Sequence, residues 1–302
     1  MKELSHMRRV PRARETVGEA ILRCTEALEA AKLTYGHGTD NARDEAAEIV
    51  FFSAGLAHSL GARAYDRALA PAARRRIASL LRRRIELRAP LAYLTHRAFF
   101  AGIELYVDRR VLVPRSPIAE LAMARFAPWI SPRRVRRILD LGTGSGAIAL
   151  ACARAFPRAT VDAVDISAGA LAVCRRNVRR LRLGARVEVL RSDHFSALRG
   201  RRYDIIVSNP PYVGRAEMRR LPAEYRHEPK LGLEAGADGL DSVRQILAGA
   251  RAHLAAHGLL VVEVGNSERA LLRAYPRTRF VWPEFSIGGG GVFLLREQDL
   301  ES

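Results

Sequence analysis

The apolar positions change period near residue 95. Before it, Val17, Ala20, Ile21, Cys24 and Leu28 recur at helical intervals behind Thr16-Val17-Gly18-Glu19, which has the spacing of a capping box. The turn-rich run Gly36-His37-Gly38-Thr39-Asp40-Asn41 follows, with Asp40 placed to cap a second helix over residues 42–60. Pro71 opens a third helical stretch in which Ile77, Leu80, Leu81 and Ile85 are apolar among arginines. Residues 16–92 therefore predict a small helical domain. Two short apolar stretches, 99–107 and 111–115, then predict a β-hairpin linker over 93–113 that turns near Asp108-Arg109.

From residue 114 to 302 the pattern is one of short strands alternating with helical stretches. The strands are Arg137–Leu141, Thr160–Val164, Val187–Leu190, Tyr203–Ser208 and Gly258–Val264, and the clearest helices cover 147–156 and 240–256. That alternation predicts an α/β domain with a doubly wound, Rossmann-like sheet. Phe280-Val281-Trp282 and Gly291–Leu295 are expected to pair as its antiparallel edge. Residues 214–238, with Pro222, Glu224, Tyr225, Glu228 and Pro229, read as a long polar loop of the kind that forms lids and binding segments.

Composition narrows the class. Lys and Arg number 50 against 32 Asp and Glu, a net charge of +18, and only Lys2, Lys32 and Lys230 are lysines. Such charge suits phosphate contacts with a nucleic-acid-rich partner such as a ribosome. It equally suits a genome whose base composition favours arginine and alanine codons. Cys24, Cys152 and Cys174 form no C-x-x-C pair, and His37, His194 and His227 lie in separate segments, so neither a disulfide framework nor a metal site is expected. A reducing, cytoplasmic setting follows. No apolar run approaches membrane-spanning length. Arg8, Arg9, Arg12 and Arg14 make residues 1–15 a basic leader, expected to be disordered and, lacking an apolar stretch, no secretory signal.

The candidate chemistry sits at strand ends. The strand Arg137–Leu141 runs into Gly142-Thr143-Gly144-Ser145-Gly146, a G-x-G-x-G turn distinct from the G-x-G-x-x-G dinucleotide fingerprint. Asp165 ends the next strand, where a carboxylate can accept hydrogen bonds from ribose hydroxyls, and Asp193 or His194 can border an adenine. Each acidic strand end alone is equally a loop cap. Asp140, Asp165, Asp193 and Asn209, at the ends of four successive strands, line one crevice in such a sheet.

Asn209-Pro210-Pro211-Tyr212 is the most specific of these features. A conjugated NH2 group is a poor nucleophile, and bonds from both its protons to fixed acceptors would hold its nitrogen toward a methyl donor. The Asn209 side-chain oxygen and the Pro210 carbonyl are such acceptors, and two successive prolines fix them in advance. The Tyr212 ring can cover the planar group and lie near the cationic sulfonium of S-adenosylmethionine. Catalysis would then rest on positioning. This predicts methyl transfer to an amino or amide nitrogen.

These motifs resemble those of the HemK-type protein-glutamine methyltransferases, over nearly everything after residue 16. The shared parts are Val113-Pro114-Arg115-Ser116-Pro117 with Glu120, Asp140–Gly146, Ala163-Val164-Asp165-Ile166-Ser167, Ser192-Asp193 and Asn209–Tyr212. Tyr35–Ala42, Leu112–Ile118 and Leu221–Pro229 are similar to the branch that methylates a glutamine of large-subunit ribosomal protein L-three. In the release-factor branch the second stretch typically reads Pro-Arg-Pro-Asp-Thr-Glu, from which Ser116-Pro117-Ile118 departs.

The resemblance implies a class I S-adenosylmethionine fold with an N-terminal helical domain. It implies that Asp140, Gly142, Thr143, Gly144, Gly146, Asp165, Ile166, Asp193, His194 and Asn209 hold the cofactor. Asn209, Pro210, Pro211 and Tyr212 would bind the glutamine amide, with Pro114, Arg115 and Glu120 shaping the mouth. The implied partner is ribosomal protein L-three, free or in an assembling large subunit, with rRNA contact through the basic surface as a further reading. The helical domain and residues 214–238 would choose the protein substrate. Three alternatives stay open: a release-factor glutamine methyltransferase, a nucleic-acid adenine or cytosine methyltransferase using the same Asn-Pro-Pro-Tyr logic, and a ribosome-binding protein that has lost activity.

Overall fold

A computed structural model describes residues 15–286 and 289–300; the expected leader, residues 1–14, lies outside them. The chain divides into two compact units at Thr95/His96. In the first, the Thr16 hydroxyl accepts from the Glu19 amide while the Glu19 carboxylate accepts from the Thr16 amide, and this capping box opens α1 (Val17–Ala30). Its apolar stripe is buried as the spacing predicts. The second helix, α2 (Ala42–Ala54), corrects two expectations. Asn41 rather than Asp40 is its N-cap, accepting from the Asp44 amide at 2.9 Å, and Gly55 ends it at φ +68°, well short of residue 60.

Pro71 occupies the first turn of α3 (Pro71–Leu87), and the short α4 (Leu91–Thr95) completes the unit. The core joins Ile21, Leu28, Ile49, Val50, Ile77 and Leu81. Through it runs one ion pair: Arg84 Nε donates to Glu45 Oε1 at 2.7 Å, with the side chains 1% and 3% exposed. Arg84 also donates to the Thr34 carbonyl, and Thr39 Oγ1 to Glu45, so neither charge rests on the pair alone.

The second unit begins with a hairpin, β1 (Ala98–Phe100) and β2 (Ile103–Leu105). It turns at Ala101-Gly102 and not at Asp108-Arg109. Both turn residues have positive φ, the geometry that matches strand twist in a two-residue turn. Asp108 instead accepts from Tyr106 Oη and from the Arg110 backbone and side chain. The hairpin is thus part of the second unit and not a separate linker.

After α5 (Ile118–Met123) come β3 (Arg137–Leu141), α6 (Ala147–Ala155), β4 (Thr160–Asp165), α7 (Ala168–Arg180), β5 (Val187–Arg191) and β6 (Tyr203–Ser208). Then follow α8 (Arg215–Met218), α9 (Asp241–His253), β7 (Leu254–Glu263), α10 (Glu268–Ala274) and β8 (Val292–Arg296). The sheet order is β5-β4-β3-β6-β7-β8, parallel except for β8. Apolar side chains on alternate strand positions cover both faces. Ile138, Val161, Ile205 and Val261 meet Ile148 and Leu150 on one, while Leu139, Val164, Ile206 and Leu260 meet Val243 and Ile246 on the other.

The chain winds outward from β3 through β4 to β5 and then returns to β6 on the other side of β3. This reversal opens a crevice at the carboxyl ends of β3 and β6. The second unit departs from the sequence pattern at three places. The last helix before β7 ends at His253, because Leu254 turns extended and pairs with Tyr203. The expected edge pairing at 280–282 shrinks to one bridge, Val281 with Leu294, where Pro283 soon removes a donor. Residues 214–238 are ordered by α8 and two 3-10 turns, with Val213 bridged to Glu234.

Removing one partner of a buried pair leaves an uncompensated charge. Arg84→Met is therefore expected to lower stability by about 3–5 kcal/mol, read as a fall in urea midpoint. Adding Glu45→Gln in the same chain should recover part of that loss.

Candidate functional site

The floor of the crevice is built by the turn between β3 and α6. Gly142, Gly144 and Gly146 all adopt positive φ (+71°, +55° and +85°). A Cβ at Gly142 or Gly144 would meet nothing within 4 Å, so the backbone there faces open space; at Gly146 it would lie 2.8 Å from Cys174 Sγ on α7. The first two glycines give a ligand close access to the chain, and the third lets α6 and α7 pack. Asp140 ties the turn down. Its Oδ2 accepts from Thr143 Oγ1 at 2.6 Å and from the Ala149 amide at 3.0 Å, while the buried Oδ1 has no hydrogen-bond partner among the described residues. Burial pushes its carboxyl up to about 7, opposed by those two bonds.

Asp165, at the end of β4, accepts from the Gly144 amide through Oδ2 and from the Ser167 amide through Oδ1. It therefore clamps the glycine turn to the start of α7, and it lines the crevice with Ile166. Burial raises its carboxyl above the usual range. At the next strand end His194 is held between Asp193 and Ser242, each at 2.8 Å, and both Asp193 and His194 line the same crevice.

The fourth strand end carries Asn209-Pro210-Pro211-Tyr212, all of which line the crevice. Ser208 anchors it by donating to the Leu141 carbonyl at 2.7 Å, so β6 is pinned to the strand that feeds the glycine turn. Tyr212 is fixed at several points: Ser267 Oγ donates to its carbonyl at 2.8 Å, and its own hydroxyl donates to Glu263 Oε1 at 3.0 Å. Its phenol is pushed up by burial and by the charge of Glu263. The whole space, about 680 Å³, runs from the glycine turn to Tyr212 and to Pro114, Arg115 and Leu233.

The comparisons with known proteins bear on this geometry. A family model described as the methyltransferase small domain matches residues 122–223, which include every strand end above. A ribosomal protein uL3 glutamine methyltransferase from Xanthomonas campestris pv. campestris is 48% identical over 286 residues, covering 94% of this chain and 92% of that protein. Another from Xylella fastidiosa is 49% identical over 271 residues, covering 89% and 86%. The chain belongs to the uL3 glutamine methyltransferase family. Among solved structures, the hMettl16 catalytic domain in complex with MAT2A 3′UTR hairpin 6 aligns with a TM-score of 0.50 at 15% identity, over 75% of this chain and 81% of that one. That likeness is one of fold, the class I methyltransferase sheet.

In this member of the family the mouth is organised differently from the expectation. Pro114 and Arg115 line the crevice, but Glu120 does not. Glu120 lies two residues past the buried Ile118 on α5 and so faces away from it; its carboxylate accepts from the Ser286 amide and hydroxyl. The partner that matters at the mouth is Glu228, fully buried, which receives a two-pronged bond from Arg115 at 2.7 Å on each oxygen and a third from the Val113 amide. Arg115 also stacks over the Tyr225 ring. Sequence reasoning placed Glu228 in a polar loop and Glu263 in a strand without giving either a role. For Glu263 the signal was an acidic residue at the end of an apolar run, as for Asp140; Glu228, in a polar loop, offered none.

Asp140 supplies a pH test. Its folded-state carboxyl titrates above its unfolded value, so the stability it contributes is full below about pH 4 and is lost as pH rises through about 7. Urea midpoints should fall between pH 4 and 8 more steeply in the native chain than in Asp140→Asn; equal slopes would remove Asp140 as the source.

Proposed function

We propose that this chain transfers a methyl group from S-adenosylmethionine to the side-chain amide nitrogen of a glutamine in ribosomal protein uL3. The observation that carries this reading is the seating of Asn209–Tyr212 in the same crevice as the glycine turn. The cradle suits the cofactor: open backbone at Gly142 and Gly144 and an acidic strand end at Asp165, all lining the crevice. We assign Gly142, Thr143, Gly144, Asp165, Ile166, Asp193 and His194 to holding it; Asp140 and Gly146, expected among them, lie outside the crevice lining and act by shaping the turn. When bound, S-adenosylmethionine supplies an electrophilic methyl group on a cationic sulfur.

The residues of the chain then act on the amide. The Asn209 side-chain oxygen and the Pro210 carbonyl accept hydrogen bonds from its two N–H groups and turn the nitrogen toward the donor, and Pro210 and Pro211 hold both acceptors in place before substrate arrives. Tyr212 covers the amide plane. No strong base is required, because the nitrogen sheds a proton readily once methylated. We assign Arg115, braced by Glu228, to the mouth through which the protein segment enters. The relatives' names point to uL3 as the partner. We place the reaction in the cytoplasm, on free uL3 or on an assembling large subunit, before rRNA contacts hide the glutamine, with the arginine-rich surface as the contact for rRNA.

Transfer of labelled methyl to purified uL3, a release factor and bulk nucleic acid tests this directly. Label on a glutamine of uL3 is expected, reduced about 100-fold or more in Asn209→Ala. Label on release factor or nucleic acid instead would overturn the substrate, and no label on any acceptor would overturn the activity. We further assign target choice to residues 16–92 together with 214–238. Replacing 16–92 by the equivalent segment of a release-factor enzyme should shift label toward release factor, and unchanged preference would refute that assignment.

A further inference from the structure

Glu263 ends β7 after four apolar residues, Leu259 to Val262, and is only 5% exposed. A carboxylate in such a place is costly unless it is bonded. Both its oxygens are taken by side chains distant in sequence: Oε1 accepts from Tyr212 Oη at 3.0 Å and Oε2 from Ser116 Oγ at 2.5 Å. Tyr212 and Ser116 line the crevice; Glu263 does not. Glu263 is therefore placed to affect the site through Tyr212, without touching a bound amide.

The remaining contacts of Tyr212 show what Glu263 adds. Its backbone is held by Ser267 Oγ, and its ring edge lies against Gly265, where a Cβ would stand 2.5 Å from Cε2. These fix the root of the side chain and one ring edge from Cδ2 to Cζ, and the hydroxyl beyond that edge is held by Glu263. We infer that Glu263 is a positioning residue for methyl transfer, locking the Tyr212 ring by its hydroxyl and locked in turn by Ser116. Burial raises the Glu263 carboxyl above the usual range, while the bonds from Ser116 and Tyr212 and the charge of Arg115 favour its charged form. The inference rests on the function proposed above, in which Tyr212 covers the amide.

A double-substitution cycle on the full chain tests it, with kcat and KM for uL3, affinity for S-adenosylmethionine and melting temperature measured throughout. Glu263→Ala should lower kcat about 10–100-fold, and Glu263→Gln, which keeps a carbonyl acceptor, should recover most of that. In a Tyr212→Phe background both substitutions should change kcat by less than about 2-fold, with cofactor affinity unaltered. Equal losses in the two backgrounds would overturn the inference. A second readout needs no methyl acceptor and survives if Glu263→Ala fails to fold. With 3-fluorotyrosine at position 212, the fluorine resonance should shift or broaden in both Glu263→Gln and Ser116→Ala. An unmoved resonance would overturn the inference, whereas a moved one without label on uL3 would leave the positioning intact and sink the substrate.

Discussion

Asp140 ends β3 with a carboxylate shut away from water, and one of its oxygens draws in both Thr143 Oγ1 and the Ala149 amide. The glycine turn and the first turn of α6 are thereby held to a single point. Gly144 then donates to Asp165, which also holds Ser167 at the start of α7. Gly146 lets α6 close onto Cys174. The crevice floor is thus a chain of dependent contacts that begins at one buried acid.

The Asn-Pro-Pro-Tyr turn works on a different principle. Its backbone is restricted by two successive prolines, a local effect, whereas its ring is fixed by groups far away in sequence. Ser208 pins the turn to β3, Ser267 holds the Tyr212 carbonyl, and Glu263 holds the hydroxyl. Positioning of this kind suits a reaction in which a weak nucleophile needs alignment more than proton abstraction. At the mouth, Arg115 and Glu228 join two segments 113 residues apart, so the loop after the turn is braced against the extended segment that precedes α5.

The first unit is stabilised separately. Its apolar core encloses the Arg84–Glu45 pair, and each charge has further partners at Thr34 and Thr39, within or beside the turn-rich segment between α1 and α2. Such a pair adds little net stability over apolar packing of the same volume, but it fixes where that segment must lie.

The features legible in the sequence are those set within a few residues: the Thr16–Glu19 capping box, Pro71 at a helix start, the glycine turn, the acidic strand ends and the Asn-Pro-Pro-Tyr turn. Those misjudged turn on backbone geometry or on distant partners. Asn41 takes the cap from Asp40 because its backbone is extended where the helix begins, and the hairpin turns at Ala101-Gly102 because both adopt positive φ. Glu120 leaves the mouth because Ile118 claims the buried side of α5. By itself the sequence determined the kind of sheet and the strand ends at which the glycine turn, the acidic residues and the Asn-Pro-Pro-Tyr turn stand, since short-range sterics and periodicity govern both. Only the tertiary structure decided which acids brace that chemistry, because Glu228 and Glu263 meet their partners across 113 and 147 residues of chain, and no local rule reaches that far.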